Sequence, residues 1–193
     1  KNYFHEYKER YTLEDGSRVR NYYCGFRTDK FESTNSNNIE EKEAEPSWLE
    51  FTETKSIFDE VCKDWPAQYA TTVTEIPNKK WENVKTKLSD IDTTKLHYTK
   101  PTDINHIVVD FDIPDENGNK CFEKNMEAAS KWPQTYAELS KSGEGIHLHY
   151  IYTGGDPSLL GRIYEEHIEI KVFTGKSSLR RKLSKCNNLP IAI

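Results

Sequence analysis

The segment HIVVDFD at positions 106–112 decides the fold, because it is a short apolar, β-branched stretch that ends in two acids. Such a stretch predicts a buried strand whose polar end lies at the edge of the core. Downstream, Phe122, Met126, Ala129 and Trp132 recur at helical spacing and predict a helix that ends before Pro133.

Three more strands and one more helix are predicted after that helix. The strands are QTYAEL (134–139), IHLHYIY (146–152) and HIEIKVF (167–173), and the helix is DPSLLGRIYEE (156–166). The order β, α, β, β, α, β is that of a ferredoxin-like, split βαβ sheet, so the sequence predicts an α+β fold. In that arrangement two helices cover one sheet face and the other face is open.

The first half of the chain predicts a smaller α/β module. A hairpin is expected around Asp15-Gly16, a dipeptide suited to tight turns, and a flexible loop at 32–46, which has almost no apolar residues. Two strands and two helices should follow: SWLEFTET (47–54), IFDEVCKDW (57–65) with Ser56 as its start, YATTVTEI (69–76) and NKKWENVKTKLSD (78–90). We therefore expect an N-terminal module at 1–99 and a catalytic module at 100–193.

Composition limits the class of protein. The formal net charge of −5 argues against a protein that coats nucleic acid through bulk charge, although residues 170–193 carry six Lys and Arg and no acid. The four cysteines lie far apart, without the spacing of a zinc site or a disulfide framework, and we interpret them as reduced thiols. No apolar run approaches the roughly 20 residues that span a bilayer, so we expect a cytoplasmic protein without a membrane partner.

Asp110 and Asp112 are the first candidate site residues, since alternate residues of a strand point to the same face. Two adjacent carboxylates repel each other unless a cation lies between them, and Mg²⁺ or Mn²⁺ prefers oxygen ligands. Glu169 lies in a later strand among Ile168, Ile170 and Val172, so it is expected on a polar face where a third carboxylate completes a two-metal site. The alternative is that these acids are simply solvated.

The segment SGEGIHLHY (142–150) supplies candidate phosphate ligands. Gly143 and Gly145 would let backbone N–H groups approach an anion, and His147 follows on the next strand. FTGKSSLRRKL (173–183) is not a P-loop, because Ile170 stands where that motif needs glycine, but a helix start after the strand would bring cationic side chains to phosphates. Its candidates are Lys176 and Arg180, and a basic surface is the alternative interpretation.

In order and spacing, DFD, SGEGIHLHY and IEIKVF resemble the three motifs of the archaeo-eukaryotic primase superfamily, most closely the primase-polymerase domains of phages and mobile elements. The resemblance covers residues 100–176. It implies an N-terminal α/β module packed on an RRM-like catalytic sheet, in agreement with the split βαβ order.

The resemblance also implies roles for individual residues. Asp110, Asp112 and Glu169 would bind two Mg²⁺ or Mn²⁺ ions, and His147, after Gly145 and Ile146, would contact the phosphates of the incoming nucleotide. Ser142, Gly143, Gly145 and Lys171 join Lys176 and Arg180 as candidate nucleotide ligands. The implied partners are a single-stranded DNA template with its primer, dNTPs or NTPs, and a helicase domain or protein in the full-length product.

Two other classes remain open. A metal-dependent nuclease would use the same three acids and would shorten a strand without triphosphate. A non-catalytic RRM-like module would bind single strands on aromatic residues such as Tyr150 and Tyr152, and would not need metal.

Overall fold

The computed structural model describes residues 47–193 in full and the backbone of residues 6–12 and 18–24. The chain divides into two compact units, Lys1–Glu43 and Ala44–Ile193. The described helices and strands, in chain order, are β1 (Glu6–Thr12), β2 (Arg18–Cys24), α1 (Ile57–Val61), β3 (Ala67–Tyr69), β4 (His97–Thr99), β5 (His106–Phe111), α2 (Phe122–Ser130), β6 (Ala137–Leu139), β7 (Ile146–Ile151), β8 (Ile163–Glu165), β9 (Ile168–Val172) and β10 (Leu179–Arg181).

In the first unit, β1 and β2 pair antiparallel, from Glu6 with Cys24 to Thr12 with Arg18, which confirms the predicted hairpin. The predicted turn at Asp15-Gly16 and the predicted flexible loop at 32–46 lie outside the described residues.

The second unit contains a five-stranded antiparallel sheet in the order β6-β7-β5-β9-β8. Its first four strands have the order of a split βαβ unit, with β5 between β7 and β9. The α+β class is therefore confirmed, and the central strand β5 is buried over nearly its whole length, as its apolar sequence predicts.

Both faces of this sheet are covered. On one face α2 packs Ala129 against a cluster that includes Val109, Phe111 and Leu148. The opposite face carries Val108 into a second cluster with α1, through residues such as Phe58. The predicted open face is therefore wrong, because α1 and the segments around β3 and β10 bury most of it, and the described pocket opens onto it only near the end of β5.

Three predicted helices are replaced by other structures because their backbone groups pair with neighbouring strands. At 156–166 there is one 3-10 turn, Pro157–Leu159, followed by β8, and the N–H of Ile170 bonds to Arg162 O. At 78–90 there are two 3-10 turns, Trp81–Asn83 and Leu88–Asp90, and the stretch between them bonds to residues 65–67. The expected helix after Thr174 is instead β10.

One predicted strand is absent from the described residues and another is shorter than expected. The segment 47–54 makes only an isolated bridge between Glu53 and Cys186. In YATTVTEI only Tyr69 belongs to a strand, and residues 71–76 form a tight turn in which Thr71 N donates to Ile76 O and Glu75 has a φ of 53°. The helix prediction at Ser56 is confirmed, since the Ser56 hydroxyl accepts from Asp59 N at the start of α1.

A second antiparallel sheet has the order β10-β4-β3. Leu179 in β10 pairs with Thr99 in β4, so the predicted boundary between residues 99 and 100 falls within one compact unit and the two expected modules share a sheet. Among the described residues, no helix has the length and apolar character needed to cross a membrane.

Candidate functional site

A row of four polar residues crosses the five-stranded sheet. Glu138 in β6 pairs with His147 in β7, His147 pairs with Asp110 in β5, and Asp110 pairs with Glu169 in β9. Residues directly opposite each other in adjacent strands point to the same face, so register alone brings these side chains together. Asp110, His147 and Glu169, which lie far apart in the sequence, are thus neighbours as the sequence motifs predicted.

Asp110, Asp112 and His147 open onto a surface pocket of about 440 Å³. The other residues that line it are polar or charged: Glu75, Lys120, Ser140, Lys141, Ser142, Lys171 and Arg180. This wall chemistry suits a small, charged, oxygen-rich ligand better than an apolar one. Of the predicted nucleotide-binding residues, Ser142, His147, Lys171 and Arg180 are in the pocket wall.

Asp110 is held between two cationic partners. Its carboxylate lies 3.3 Å from His147 Nε2 and forms an ion pair with Lys171 Nζ. Burial raises the pKa of Asp110, but the hydrogen bonds and charges of His147 and Lys171 lower it by more. The pKa of Asp110 is therefore well below its usual range. Asp110 is therefore ionised at neutral pH.

His147 has the opposite shift. Burial lowers its pKa, yet the carboxylates of Asp110 and Glu138 on either side raise it to about 9. In the absence of a bound metal, the ring therefore carries a positive charge at neutral pH.

Asp112 follows the end of β5 and pairs with Lys120 Nζ at 2.5 Å. Each acid of the DFD segment thus has a lysine ammonium group next to its carboxylate oxygens. This pairing fits a site whose two carboxylates need a cation beside them. Carboxylate oxygens are also the ligands that Mg²⁺ and Mn²⁺ prefer, so the acids match the implied cofactor in chemistry. Glu169 is adjacent to Asp110 in register, but it is outside the pocket wall, and its nearest cation is the exposed Arg162 at 3.6 Å.

The loop from Ser140 to Gly145 closes one side of the pocket. Gly143 has a φ of 84°, which favours glycine, and a Cβ on Gly145 would lie 2.8 Å from Ser140 Oγ and 3.0 Å from Phe111 O. The N–H groups of both glycines bond within the loop, to Ser140 O and Ser140 Oγ. The glycines therefore shape the loop. The prediction that their N–H groups face an anion is wrong, because both groups bond to Ser140.

Asn125 connects this loop to β5 and α2. Its side chain accepts from Ile113 N at 2.8 Å and donates to Glu144 O at 2.9 Å. Sequence reasoning missed this residue, since an asparagine within an amphipathic helix gives no sign of burial.

The basic residues after β9 separate into different places. Arg180 lines the pocket, where it pairs with Glu75, and Lys141 pairs with the same carboxylate at 2.6 Å. Lys176 lies instead in a different surface pocket, with Trp81, Ile104 and Phe173 in its wall. The structure thus brings Arg180 to the candidate site and leaves Lys176 apart from it.

Behind the pocket, Arg181 and Glu138 form a buried ion pair that the sequence analysis also missed. Both residues are about 1% exposed, and the guanidinium group donates to Glu138 from Nε at 2.8 Å and from NH2 at 2.7 Å. Arg181 also bonds to Asp59 Oδ1 at 2.7 Å and lies 4.2 Å from the centre of the Phe58 ring. No local signal identifies this pair, since Glu138 lies in a short strand and Arg181 in a basic run.

One group among the described residues could hold a metal ion by proximity of its ligand atoms. Glu138, His147 and His149 are all buried, and one ligand atom from each lies within 4.8 Å of the other two. The predicted set, Asp110, Asp112 and Glu169, does not form such a group in the described part of the chain. Comparison of the sequence and structure with protein-family models, with curated proteins and with solved structures finds no match.

Proposed function

We propose that this chain is the catalytic domain of a primase-polymerase of the archaeo-eukaryotic primase superfamily, with an α/β module packed on its RRM-like sheet. It would transfer nucleotides from triphosphates to a 3′-hydroxyl on a single-stranded DNA template. One observation carries the proposal: the two acids of DFD share a pocket with a histidine, a serine loop and several cationic side chains. Phosphoryl-transfer sites need both cation-binding carboxylates and cationic groups for the phosphates.

In this proposal Asp110 and Asp112 hold the divalent cations, and Glu169, the neighbour of Asp110 in register, turns toward them. Two bound Mg²⁺ or Mn²⁺ ions would activate the attacking 3′-oxygen and stabilise the departing pyrophosphate. The partly buried position of Asp110 on β5 and its contacts with His147 and Lys171 keep its carboxylate fixed, which favours in-line geometry.

The cationic side chains of the pocket would bind the triphosphate. Lys141 and Arg180 now share the single carboxylate of Glu75, and Lys171 is paired with Asp110. An incoming triphosphate would offer these groups stronger anionic partners, while the Ser142 hydroxyl and the His147 ring donate hydrogen bonds from the same wall. Charge neutralisation and positioning then account for catalysis without a protein nucleophile.

The template strand and its primer would approach this pocket from solvent. A helicase domain or protein in the full-length product is a further proposed partner, and the proposed location is the cytoplasm, that of a bacterial host if the gene is carried by a phage. Lys176 is a weaker candidate for triphosphate binding, because it lies in the wall of another pocket.

The test is incubation of the native chain with a labelled primer on a single-stranded template, Mg²⁺ or Mn²⁺, and either dNTPs or NTPs. Triphosphate-dependent lengthening of the primer is the expected result, and the sugar that supports it identifies the substrate. Shortening of the strand without triphosphate would instead indicate a nuclease. Strand binding without any change in length would indicate a non-catalytic module, and either outcome would overturn the proposal.

A further inference from the structure

A second set of potential metal ligands lies behind the acidic pocket. Glu138 and His147 are opposite each other in β6 and β7, and His149, two residues after His147, points to the same sheet face. Glu138 and His149 are 1% and 0% exposed and His147 is 7% exposed. Neither Glu138 nor His149 belongs to the three-acid set that would bind the catalytic cations.

Two nitrogens in this group are buried without a partner. Among the described residues, His147 Nδ1 and His149 Nε2 have no hydrogen-bond partner, although buried polar atoms normally have one. Both face the same atom, Glu138 Oε1, at 3.8 Å and 3.5 Å. These separations are longer than those of good hydrogen bonds, which leaves both nitrogens available to another ligand or ion.

The separations of these three ligand atoms suit a bound metal ion. Zinc binds nitrogen and oxygen at about 2.0–2.2 Å, and two ligands at the tetrahedral angle are then about 3.4 Å apart. The distances of 3.8 Å and 3.5 Å to Glu138 Oε1 are close to that value, and all three ligand atoms lie within 4.8 Å of one another.

The other nitrogen of each ring already has a partner. His149 Nδ1 lies 3.1 Å from His106 Nε2, and His147 Nε2 lies 3.3 Å from Asp110 Oδ1. Histidines that bind metals are typically oriented in this way by a partner on the second nitrogen. The two rings are therefore held with their unpartnered nitrogens toward Glu138.

Glu138 retains an acceptor site for a cation despite its ion pair. Its Oε2 atom receives Arg181 NH2 and the Tyr136 hydroxyl, whereas Oε1 receives only Arg181 Nε within 3 Å. A carboxylate oxygen has two lone pairs, so one on Oε1 is free on the side of the histidines.

The surrounding charges also favour a cation. A histidine that binds zinc is neutral, and with His147 neutral the carboxylates of Asp59, Asp110 and Glu138 outnumber the cationic groups of Arg181 and Lys171 that pair with them.

We propose that Glu138, His147 and His149 bind one zinc ion, at a site separate from the catalytic cations. Two imidazole nitrogens and one carboxylate form a ligand set that zinc favours and that Mg²⁺, which prefers oxygen, does not. Zinc at this site would fix the His147 ring from behind while its Nε2 faces the pocket. The inference does not depend on the proposed function, because zinc binding is measured without nucleotide or DNA.

The experiment is calorimetric titration of the chelator-treated full chain with Zn²⁺ in the presence of excess Mg²⁺. One equivalent of zinc should bind, and His149→Gln should weaken its affinity by about 100-fold or more, since loss of outer-shell partners alone costs 10–100-fold. His167→Gln is the matched control, because it removes a largely exposed histidine outside this group, and its affinity should equal that of the native chain.

X-ray absorption of the zinc-loaded native chain gives a second test that does not depend on how the variant folds. Nitrogen and oxygen neighbours with two imidazoles and no sulfur are expected. Sulfur ligands would assign the zinc to cysteines and overturn the proposal. So would displacement of zinc by excess Mg²⁺, no stoichiometric binding, or a His149→Gln affinity equal to the native value.

Discussion

The buried guanidinium group of Arg181 should contribute more to stability than any exposed charge of the same strand. Arg181 on β10 bonds to Glu138 on β6 and to Asp59 on α1, so it connects the two sheets of the second unit. Substitution Arg181→Met keeps an apolar stem over the Phe58 ring but removes every donor.

The expected loss in the free energy of unfolding follows from the groups that remain around Glu138. Without Arg181, the Glu138 carboxylate is 1% exposed and retains only the Tyr136 hydroxyl as a close donor. Removal of one partner of a buried ion pair costs about 3–5 kcal/mol, because the other charge stays buried and uncompensated. Asp59 contributes less to this loss, since its side chain is 22% exposed and water can reach it.

The assay is urea denaturation of the native chain and its variants, with a chelator in the buffer so that no bound metal contributes. Arg180→Met is the matched control, because the neighbouring Arg180 is 42% exposed and water screens its pairing with Glu75, so this variant should lose little stability. The double variant Arg181→Met with Glu138→Met should be more stable than Arg181→Met alone, since it removes the unpaired charge. Equal losses for Arg181→Met and Arg180→Met, or a double variant that loses the sum of its single losses, would refute this reasoning.

Three further predictions concern the loop and the titratable groups. Gly145→Ala should reduce triphosphate-dependent extension, because its Cβ would press on Ser140 Oγ and displace the loop; unchanged extension kinetics would contradict this. Burial and then the charge of Arg181 lower the pKa of His97 from 6.5 to about 4, so the unfolded chain takes up the proton first as pH falls. The stability that His97 contributes is therefore full above pH 6.5 and is lost toward pH 4, by up to about 3 kcal/mol, and denaturation of His97→Gln across that range should show a weaker pH dependence. Burial raises the pKa of the Cys62 thiol to about 12, so at pH 8 a thiol reagent should modify the more accessible Cys121 first, as mass spectrometry would detect.

Four of the five strands of the central sheet, β5, β6, β7 and β9, could be predicted from sequence because their signal is local. The apolar run of β5 ends in two acids, and the alternation of β7 and β9 places Asp110, His147 and Glu169 on one face once the strands pair. The helix α2 was predictable for the same reason, since its apolar residues repeat at helical spacing.

The errors arose where long-range pairing determined the structure. The segments around Val84 and Arg162 have apolar residues at helical spacing, but their backbone groups bond to residues 65–67 and to β9. Likewise, β10 forms only because β4 supplies a partner strand 80 residues earlier in the chain. The closeness of Glu75 and Arg180 in the pocket depends on these same pairings, so no sequence motif could indicate it.

The roles of Glu138 and Arg181 were also beyond a local reading. Each looked like an ordinary surface charge, one in a short strand and one in a basic run, and only their mutual burial identifies them. The basic residues after β9 therefore lie in three different environments: Arg180 lines the pocket, Arg181 is in the core and Lys176 lines a different surface pocket.

The central claim is that the acids of β5 support metal-dependent nucleotidyl transfer, and the most direct measurement compares two matched variants in primer extension. Asp110→Asn keeps the size of the side chain but removes the charge from the pocket, whereas Asp115→Asn makes the same change in the turn that follows, outside the pocket wall. Asp115→Asn should extend the primer at the rate of the native chain, and Asp110→Asn should lose extension while its denaturation curve still shows a cooperatively folded chain. Extension by Asp110→Asn at the native rate, or no extension by the native chain with either Mg²⁺ or Mn²⁺, would contradict the claim.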